Sequence, residues 1–201
     1  MLQIPSRSVW KSAGAISLYS IRRKPFVQYT PLGKSINRYK YHFSDLSQEE
    51  KRQIEEFCFQ EIIECLKKRY ENPPFNFLIP VPPNSNPKVS LPNRIVELWI
   101  AKFPRFIDGS LHLRKTRDIS SVKRIAGENI DERKLHLKGA YELLIPSTKG
   151  IEGFLVIDDV YQTGSTVRSI ASMLSAKYPS VPRYLVTLTA LKENRFKEIS
   201  C

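Results

Sequence analysis

The chain has 201 residues, of which 41% are hydrophobic and 26% are charged, and its formal net charge is +12. These values exclude a wholly disordered chain, a coiled coil and a collagen-like fibre, and the length predicts about one domain with an appendage. No stretch approaches the ~20 consecutive apolar residues of a membrane span, so an integral membrane protein is excluded and no membrane partner is expected.

Cysteine usage predicts a cytoplasmic protein. Cys58, Cys65 and Cys201 make neither a disulfide framework nor a Cys-x-x-Cys zinc motif. Cys58 and Cys65 have the spacing of residues on one helix face, where small buried apolar side chains are a simpler interpretation than a redox pair.

The positive charge is concentrated at the start of the chain. Residues 1–40 contain eight lysines and arginines and neither aspartate nor glutamate. A basic block beside a nearly balanced remainder is typical of a segment that contacts a polyanion, so we expect a nucleic acid or ribonucleoprotein partner for residues 1–40. Solvated charge is one alternative, and an organelle transit peptide is another. The sequence leaves homo- and hetero-oligomers open.

The predicted elements follow one another in chain order. Residues 1–44 are expected to form an irregular basic extension or hood, and residues 45–201 an α/β domain. The capping-box spacing of Ser47 and Glu50 predicts the start of the first helix. After it we expect a strand at 75–81, a helix at 90–103, a strand at 110–113, a long loop at 114–138, strands at 140–145 and 154–157, a helix at 166–178 and a strand at 184–188.

This alternation of short apolar strands and helices of about 12 residues predicts a mostly parallel sheet with helices on both faces. Ligands of such sheets bind beyond the carboxyl ends of the strands. Residues that follow a buried strand are therefore the first candidates for a functional site.

One segment carries that signal. Residues 154–166 read FLVIDDVYQTGST, so a buried strand leads directly into Asp158 and Asp159, and Gly164 precedes a helix. Carboxylates at a sheet edge accept hydrogen bonds from sugar hydroxyls, and a glycine lets the backbone approach an anion closely. The start of the helix offers N–H groups and a positive dipole end to a phosphate. The combination suits a ribose 5-phosphate.

The alternative is that Asp158 and Asp159 form a turn and that residues 163–165 merely start a helix. Turn chemistry explains the glycine and the serine, but it does not explain two acids at the end of a buried strand. Adjacent side chains on a strand point to opposite faces, so the two aspartates are not expected to act identically unless the chain turns there.

The segment VIDDVYQTGST resembles the phosphoribosyl pyrophosphate signature of type I phosphoribosyltransferases. The rest of residues 75–190 is most similar to the competence-associated ComF-type branch of that family. Residues 79–82 (IPVP) resemble the strand end that opens the pyrophosphate loop, Asn93 falls at an asparagine of that branch, and residues 114–116 and 138–141 resemble the edges of its flexible loop.

The resemblance implies a type I phosphoribosyltransferase fold, a bound phosphoribosyl pyrophosphate or nucleotide, and Mg²⁺-dependent phosphoribosyl transfer. Asp158 and Asp159 would be the catalytic carboxylates and would meet Mg²⁺ only through the ligand. The 5-phosphate would be held by the following loop: Tyr161, Gln162, Thr163, Gly164, Ser165 and Thr166. The pyrophosphate would be met by residues of two other loops: Val81, Pro82, Lys88, Arg114 and Lys115.

Several departures from the branch favour a second interpretation. ComF-type proteins often carry an N-terminal four-cysteine zinc module, which is absent from this sequence. Ser90-Leu91-Pro92 stands where that branch has Arg-Gly-Phe before its asparagine, and Lys88 is the single cation near the pyrophosphate loop. The alternative is a catalytically weak or inactive module of the same fold that works in a nucleic-acid or ribonucleoprotein assembly, in DNA uptake and processing or in bacterial defence.

Overall fold

The computed structural model describes residues 2–4, 9–23, 26–83, 90–116, 137, 139–191 and 197–198. Its strands in the described ranges are β1 (Leu2–Gln3), β2 (Ser12–Leu18), β3 (Ser20–Arg23), β4 (Phe26–Tyr29), β5 (Phe77–Pro80), β6 (Ile107–Asp108), β7 (Leu113–Lys115), β8 (Tyr141–Leu143), β9 (Phe154–Tyr161), β10 (Arg183–Ala190) and β11 (Lys197–Glu198). Its helices there are α1 (Pro31–Tyr41), α2 (Gln48–Arg69), α3 (Leu91–Lys102) and α4 (Ser165–Lys177).

A central sheet organises the described part of the chain. Its strand order is β11-β1-β2-β10-β9-β5-β6. The five neighbours from β2 to β6 in that order pair in parallel, whereas β1 pairs antiparallel with both β2 and β11. The predicted α/β class with a mostly parallel sheet is confirmed.

Helices cover both faces of the sheet, as the alternation of elements predicts. Leu155 and Ile157 of β9 pack with residues of α1, α2 and α3 in one apolar cluster. Phe154 and Val156 belong to the opposite cluster, which contains the buried side of α4 and the paired strands β7 and β8. Strand β9 is therefore central, and its side chains alternate between the two layers.

The prediction of an irregular N-terminal extension is wrong for the described residues. Strand β2 lies inside the sheet next to β10, with Ala13 and Ala15 buried. Helix α1 begins at a Thr30 cap, whose side chain accepts a hydrogen bond from the Gly33 N–H, and it buries Ile36 completely. Both alanines belong to the apolar cluster on the α4 side of the sheet, so β2 is a core element although basic residues surround it in the sequence. A boundary at residue 44 therefore divides one packed structure.

Strand and helix limits elsewhere differ from the predictions mainly at their ends. The strand expected at 110–113 lies at Leu113–Lys115, and β9 continues through the acid pair to Tyr161 instead of ending at Ile157. Most of the predicted loop at 114–138 lies outside the described residues. Within the described ranges, no helix combines the length and the hydropathy that crossing a membrane requires.

The predicted capping box at the start of α2 is confirmed. The Ser47 hydroxyl accepts a hydrogen bond from the Glu50 N–H at 3.1 Å, and the Glu50 carboxylate accepts one from the Ser47 N–H at 2.9 Å. Helical spacing predicts an apolar face that includes Ile54, Phe57 and Cys58, but Phe57 is 37% exposed and Phe59 is buried instead. The helix thus starts where predicted and is rotated slightly from the predicted apolar face.

The capping box makes a prediction about acid stability. Hydrogen bonds from the Ser47 backbone, and then from Arg38, lower the pKa of Glu50 from 4.5 to about 2. Because the folded pKa is the lower one, this contribution to stability is present above pH 4.5 and lost as the pH falls through about 2. The protection factors of amides at the start of α2, which compare observed exchange with the intrinsic rate at the same pH, should fall over that range in the wild type. In Glu50→Ala they should already be low at pH 6, while Glu64→Ala, on an exposed part of the same helix, should resemble the wild type.

Candidate functional site at the carboxyl edge of the sheet

Strand β9 carries the acid pair at the carboxyl edge of the sheet. Asp158 lies opposite Thr187 of β10, and the Thr189 hydroxyl donates a hydrogen bond to the Asp159 carbonyl at 3.2 Å. On the other side, the Val81 N–H at the end of β5 donates to the Ile157 carbonyl at 2.9 Å. The acids are therefore held between two parallel strands, and the chain after β5 leaves the sheet beside them.

The two aspartates lie on different faces of the sheet, as the alternation of a strand predicts. Asp158 follows Phe154 and Val156 on the α4 side, and its Oδ1 accepts a hydrogen bond from the Asp159 N–H at 2.9 Å. Asp159 follows Leu155 and Ile157 on the side covered by α1 to α3. The pair consequently offers one carboxylate to each side of the same edge.

Asp158 shares its side with Tyr141 and with the start of α4. The Tyr141 side chain is buried, and burial raises the pKa of its phenol to about 12. The neighbouring Thr166 hydroxyl acts in the opposite direction, and the negative charge of Asp158 raises the value further. The pKa of Tyr141 thus depends on both Asp158 and the first turn of α4.

That arrangement predicts opposite effects for two substitutions. Asp158→Asn removes a negative charge, so the pKa of Tyr141 should fall below about 12. Thr166→Val removes a neighbouring hydroxyl that lowers the pKa of Tyr141, so the pKa should rise. NMR titration with tyrosine labelled at the ring carbon that bears the hydroxyl measures both. If neither variant moved the pKa of Tyr141, the three side chains would not form one site.

Asp159 is bound by a lysine from α1. The Lys40 ammonium lies 3.0 Å from Oδ1 and 2.8 Å from Oδ2 of Asp159. The Lys40 side chain is 32% exposed, and that of Asp159 is 16% exposed. A residue from the basic N-terminal segment therefore forms part of the site.

The loop after β9 turns sharply into α4. Gly164 is the N-cap of α4, has φ +71° in the left-handed region and offers no side-chain cap, although the Ser165 N–H donates to the Thr163 hydroxyl at 3.4 Å. The Thr163 and Ser165 hydroxyls lie 3.0 Å apart, and the Arg168 guanidinium donates to the Thr163 carbonyl at 2.6 Å. Hydroxyls, N–H groups and a guanidinium are thereby gathered at the start of one helix.

Tyr161 supports this loop from beneath. Its side chain is buried, with the residue 9% exposed, and its hydroxyl lies 2.3 Å from the position that a Cβ on Gly164 would take. The resemblance places Tyr161 among the residues that hold the 5-phosphate, and in the structure its ring packs against Gly164. Gln162, by contrast, is exposed at the turn.

The predicted pyrophosphate residues lie in different surroundings. Val81 is buried and Pro82 is half-buried, both at the end of β5, whereas Lys88 lies outside the described residues. Arg114 and Lys115 lie on β7, where Lys115 pairs with Tyr141 of β8 in the register of the two strands. The Arg114 guanidinium donates to Glu142 at 2.7 Å across the same strands, and its side chain is 64% exposed.

The donor set fits Mg²⁺ held through a ligand. Among the described residues no group of three or more His, Cys, Asp or Glu side chains could hold a metal ion by itself. Asp158 before the loop and the Thr163 and Ser165 hydroxyls within it nevertheless supply oxygen atoms, and Mg²⁺ prefers oxygen ligands and commonly takes only one or two from the protein.

Sequence reasoning missed Lys40 and Arg168 as members of the site. Arg168 lies four residues after Gly164, so helical periodicity would have returned it to the start of α4. Lys40 carries no such signal, because 118 residues separate it from Asp159 in the sequence. Comparison with known proteins adds no assignment: no protein-family model matches the chain, and no curated protein matches it.

Proposed function

We propose that the protein binds a ribose 5-phosphate group, as found in phosphoribosyl pyrophosphate or a nucleotide, at the β9–α4 edge and transfers the phosphoribosyl group in a Mg²⁺-dependent reaction. The observation that carries the proposal is the placement of Asp158 on the same side of the sheet as Thr166 and the start of α4. Such a ligand presents a sugar diol and a phosphate, which are the groups that a carboxylate and the start of a helix bind.

The chain's own groups would divide the work as follows. Asp158 accepts hydrogen bonds from the ribose hydroxyls and stabilises positive charge that develops on the ring as the bond from C1 to pyrophosphate breaks. The N–H groups of the first turn of α4 and the hydroxyls of Thr163 and Ser165 hold the 5-phosphate, which fixes C1 in position. When bound, Mg²⁺ supplies positive charge to the phosphate oxygens.

The architecture is also compatible with the finer fold assignment. We propose that the chain has a type I phosphoribosyltransferase-like fold, in which α1 with its Lys40 lies where a hood would close one side of the sheet edge. The parallel order β10-β9-β5 puts the acid pair at the carboxyl end of a central strand, which supports this proposal.

Calorimetry with phosphoribosyl pyrophosphate and Mg²⁺ tests the proposal. The wild type should bind, and Asp158→Asn should weaken binding by at least about tenfold because a charge-assisted acceptor is lost. Asp108→Asn is the matched control, since Asp108 is an exposed aspartate at the end of β6, another parallel strand. Absence of binding by the wild type, or equal binding by Asp158→Asn, would contradict the proposal.

Turnover is a separate question from binding. Pyrophosphate release in the presence of a panel of nucleobases and other nucleophiles measures it, because transfer breaks the C1–oxygen bond and the leaving pyrophosphate takes the electron pair. Release with at least one acceptor supports an enzyme. Tight donor binding without release from any acceptor would favour the non-catalytic module.

The charge of residues 1–40 favours that second candidate, a phosphoribosyltransferase-fold module in a nucleic-acid or ribonucleoprotein assembly. Deleting the segment cannot test it, because β2 and α1 belong to the packed fold. Replacing the exposed Lys11 and Lys34 by glutamine leaves the core intact. If both contact phosphates, the slope of log affinity against log salt should fall by about two. An unchanged slope would exclude these lysines from a nucleic-acid interface.

A further inference from the structure

The contact with Asp159 leaves the Lys40 ammonium able to donate a further hydrogen bond. A lysine ammonium has three N–H donors, and the two oxygens of Asp159 occupy two directions around it. The Lys40 side chain is nevertheless 32% exposed, twice the 16% of its partner. The lysine, not the aspartate, is therefore the more accessible half of the pair.

Hydrogen bonds of two other α1 residues hold the helix that carries Lys40. The neighbouring Tyr39 hydroxyl donates to the buried Glu55 carboxylate at 2.6 Å, and Arg94 of α3 donates to the other oxygen of Glu55 at 3.2 Å. The Asn37 amide donates to the Tyr19 hydroxyl at 2.9 Å. Lys40 is consequently presented by a helix anchored to two neighbouring helices and to the end of β2.

An anionic ligand that binds beside the acid pair needs a nearby cation to offset the negative charge. Two adjacent carboxylates repel an anionic ligand, and the predicted pyrophosphate residue Arg114 is already bound to Glu142. Burial alone lowers the pKa of Lys40, but Asp159 and then Asp158 act against it, and the net effect is a raised pKa. Lys40 therefore stays protonated beside the acids throughout the neutral range.

We propose that Asp159 is a positioning residue that holds the Lys40 ammonium at the sheet edge, that Lys40 contacts the anionic group of the ligand, and that Asp158 alone receives the sugar hydroxyls. The proposal rests on the proposed function for the identity of the ligand. Its physical basis is that an ammonium already contacts both oxygens of Asp159, so a diol approaching that carboxylate must compete with a bound cation. Asp158 lies on the opposite side of β9, toward the start of α4, which is where the proposed function puts the sugar and its phosphate.

A double-mutant cycle separates this role from a direct one. Calorimetry with phosphoribosyl pyrophosphate and Mg²⁺ should show that Lys40→Met and Asp159→Asn each weaken binding about tenfold, and that the double variant is no weaker than either single one. Lys40→Arg, which keeps the charge, should bind within about threefold of the wild type, a rescue that a purely structural role would not require. Lys34→Met, exposed on the same helix, is the control and should bind normally.

Other results of the cycle would overturn the proposal. If the losses from Lys40→Met and Asp159→Asn multiplied, Asp159 would contact the ligand by itself. If Lys40→Met bound more tightly than the wild type, Lys40 would be a competitor of the ligand and not a contact. Unchanged binding by Lys40→Met would remove Lys40 from the site while leaving the proposed function intact.

A measurement without the sugar ligand keeps the two proposals apart. In the wild type, acetic anhydride should modify Lys40 more slowly than Lys34, Asp159→Asn should abolish that difference, and inorganic pyrophosphate should slow modification of Lys40 further. If phosphoribosyl pyrophosphate does not bind but inorganic pyrophosphate gives this protection, the proposed function fails and the anion contact of Lys40 stands. If Lys40 reacts as fast as Lys34, or if pyrophosphate gives no protection, the Lys40 proposal is refuted.

Discussion

Replacing Gly164 by alanine is expected to lower the free energy of unfolding by about 3 kcal/mol and to abolish ligand binding. Two penalties combine here: a non-glycine residue in the left-handed region costs about 1 kcal/mol or more, and overpacking costs a further 1–3 kcal/mol or so. The overpacking arises because a Cβ on Gly164 would lie 2.3–2.6 Å from the ring and hydroxyl of buried Tyr161. Denaturant unfolding and calorimetry measure the two effects.

Gly150 provides a matched control for this prediction. It also has a positive φ, +79°, but a Cβ there would meet no heavy atom within 4 Å. Gly150→Ala should therefore lose only the conformational term of about 1 kcal/mol and bind the ligand normally. Equal losses of stability in the two variants would show that Tyr161 does not limit the space beneath Gly164.

Replacing Gly33 by alanine is expected to cost about 2–3 kcal/mol, although alanine is the better helix former by up to about 1 kcal/mol. Gly33 lies in the first turn of α1, and a Cβ there would lie 1.8 Å from the Tyr19 carbonyl oxygen and 2.7 Å from its carbon. Because these are backbone atoms, no side-chain rotation relieves the clash, and α1 must move away from the sheet. Thermal unfolding measures the loss.

Ser35→Ala tests the same helix without the clash. Ser35 is half-buried in α1, so this substitution should leave stability unchanged or raise it slightly. Gly33→Ala should also speed acetylation of Lys40, since Lys40 moves with α1, whereas Ser35→Ala should not. A Gly33→Ala protein as stable as the wild type would show that α1 is not docked against Tyr19 as described.

The elements that could be predicted from the sequence are those with strong local signals. The capping box of Ser47 and Glu50 fixed the start of α2, and the apolar run before Asp158 identified β9. Strand β2 was missed because its role depends on pairing with β10, about 170 residues later in the chain. Its small apolar residues give a weak signal, and the basic residues around them favoured an irregular segment.

The residues of the candidate site likewise fall into those that could be predicted from the sequence and those that depend on long-range packing. The opposite orientation of Asp158 and Asp159 follows from the alternation of a strand and needed only the sequence. The left-handed turn at Gly164 was also foreseeable, because glycine before a helix is the residue that adopts it without strain. The contact of Lys40 with Asp159 was not, since it depends on how α1 packs against the finished sheet.

A structure of the protein with bound ribose 5-phosphate tests the central claim most directly. The account predicts that the ribose hydroxyls lie within hydrogen-bond distance of the Asp158 carboxylate, and that the phosphate lies against the N–H groups of residues 164–166. A ligand seated elsewhere, or one that leaves Asp158 without a sugar contact, would contradict it.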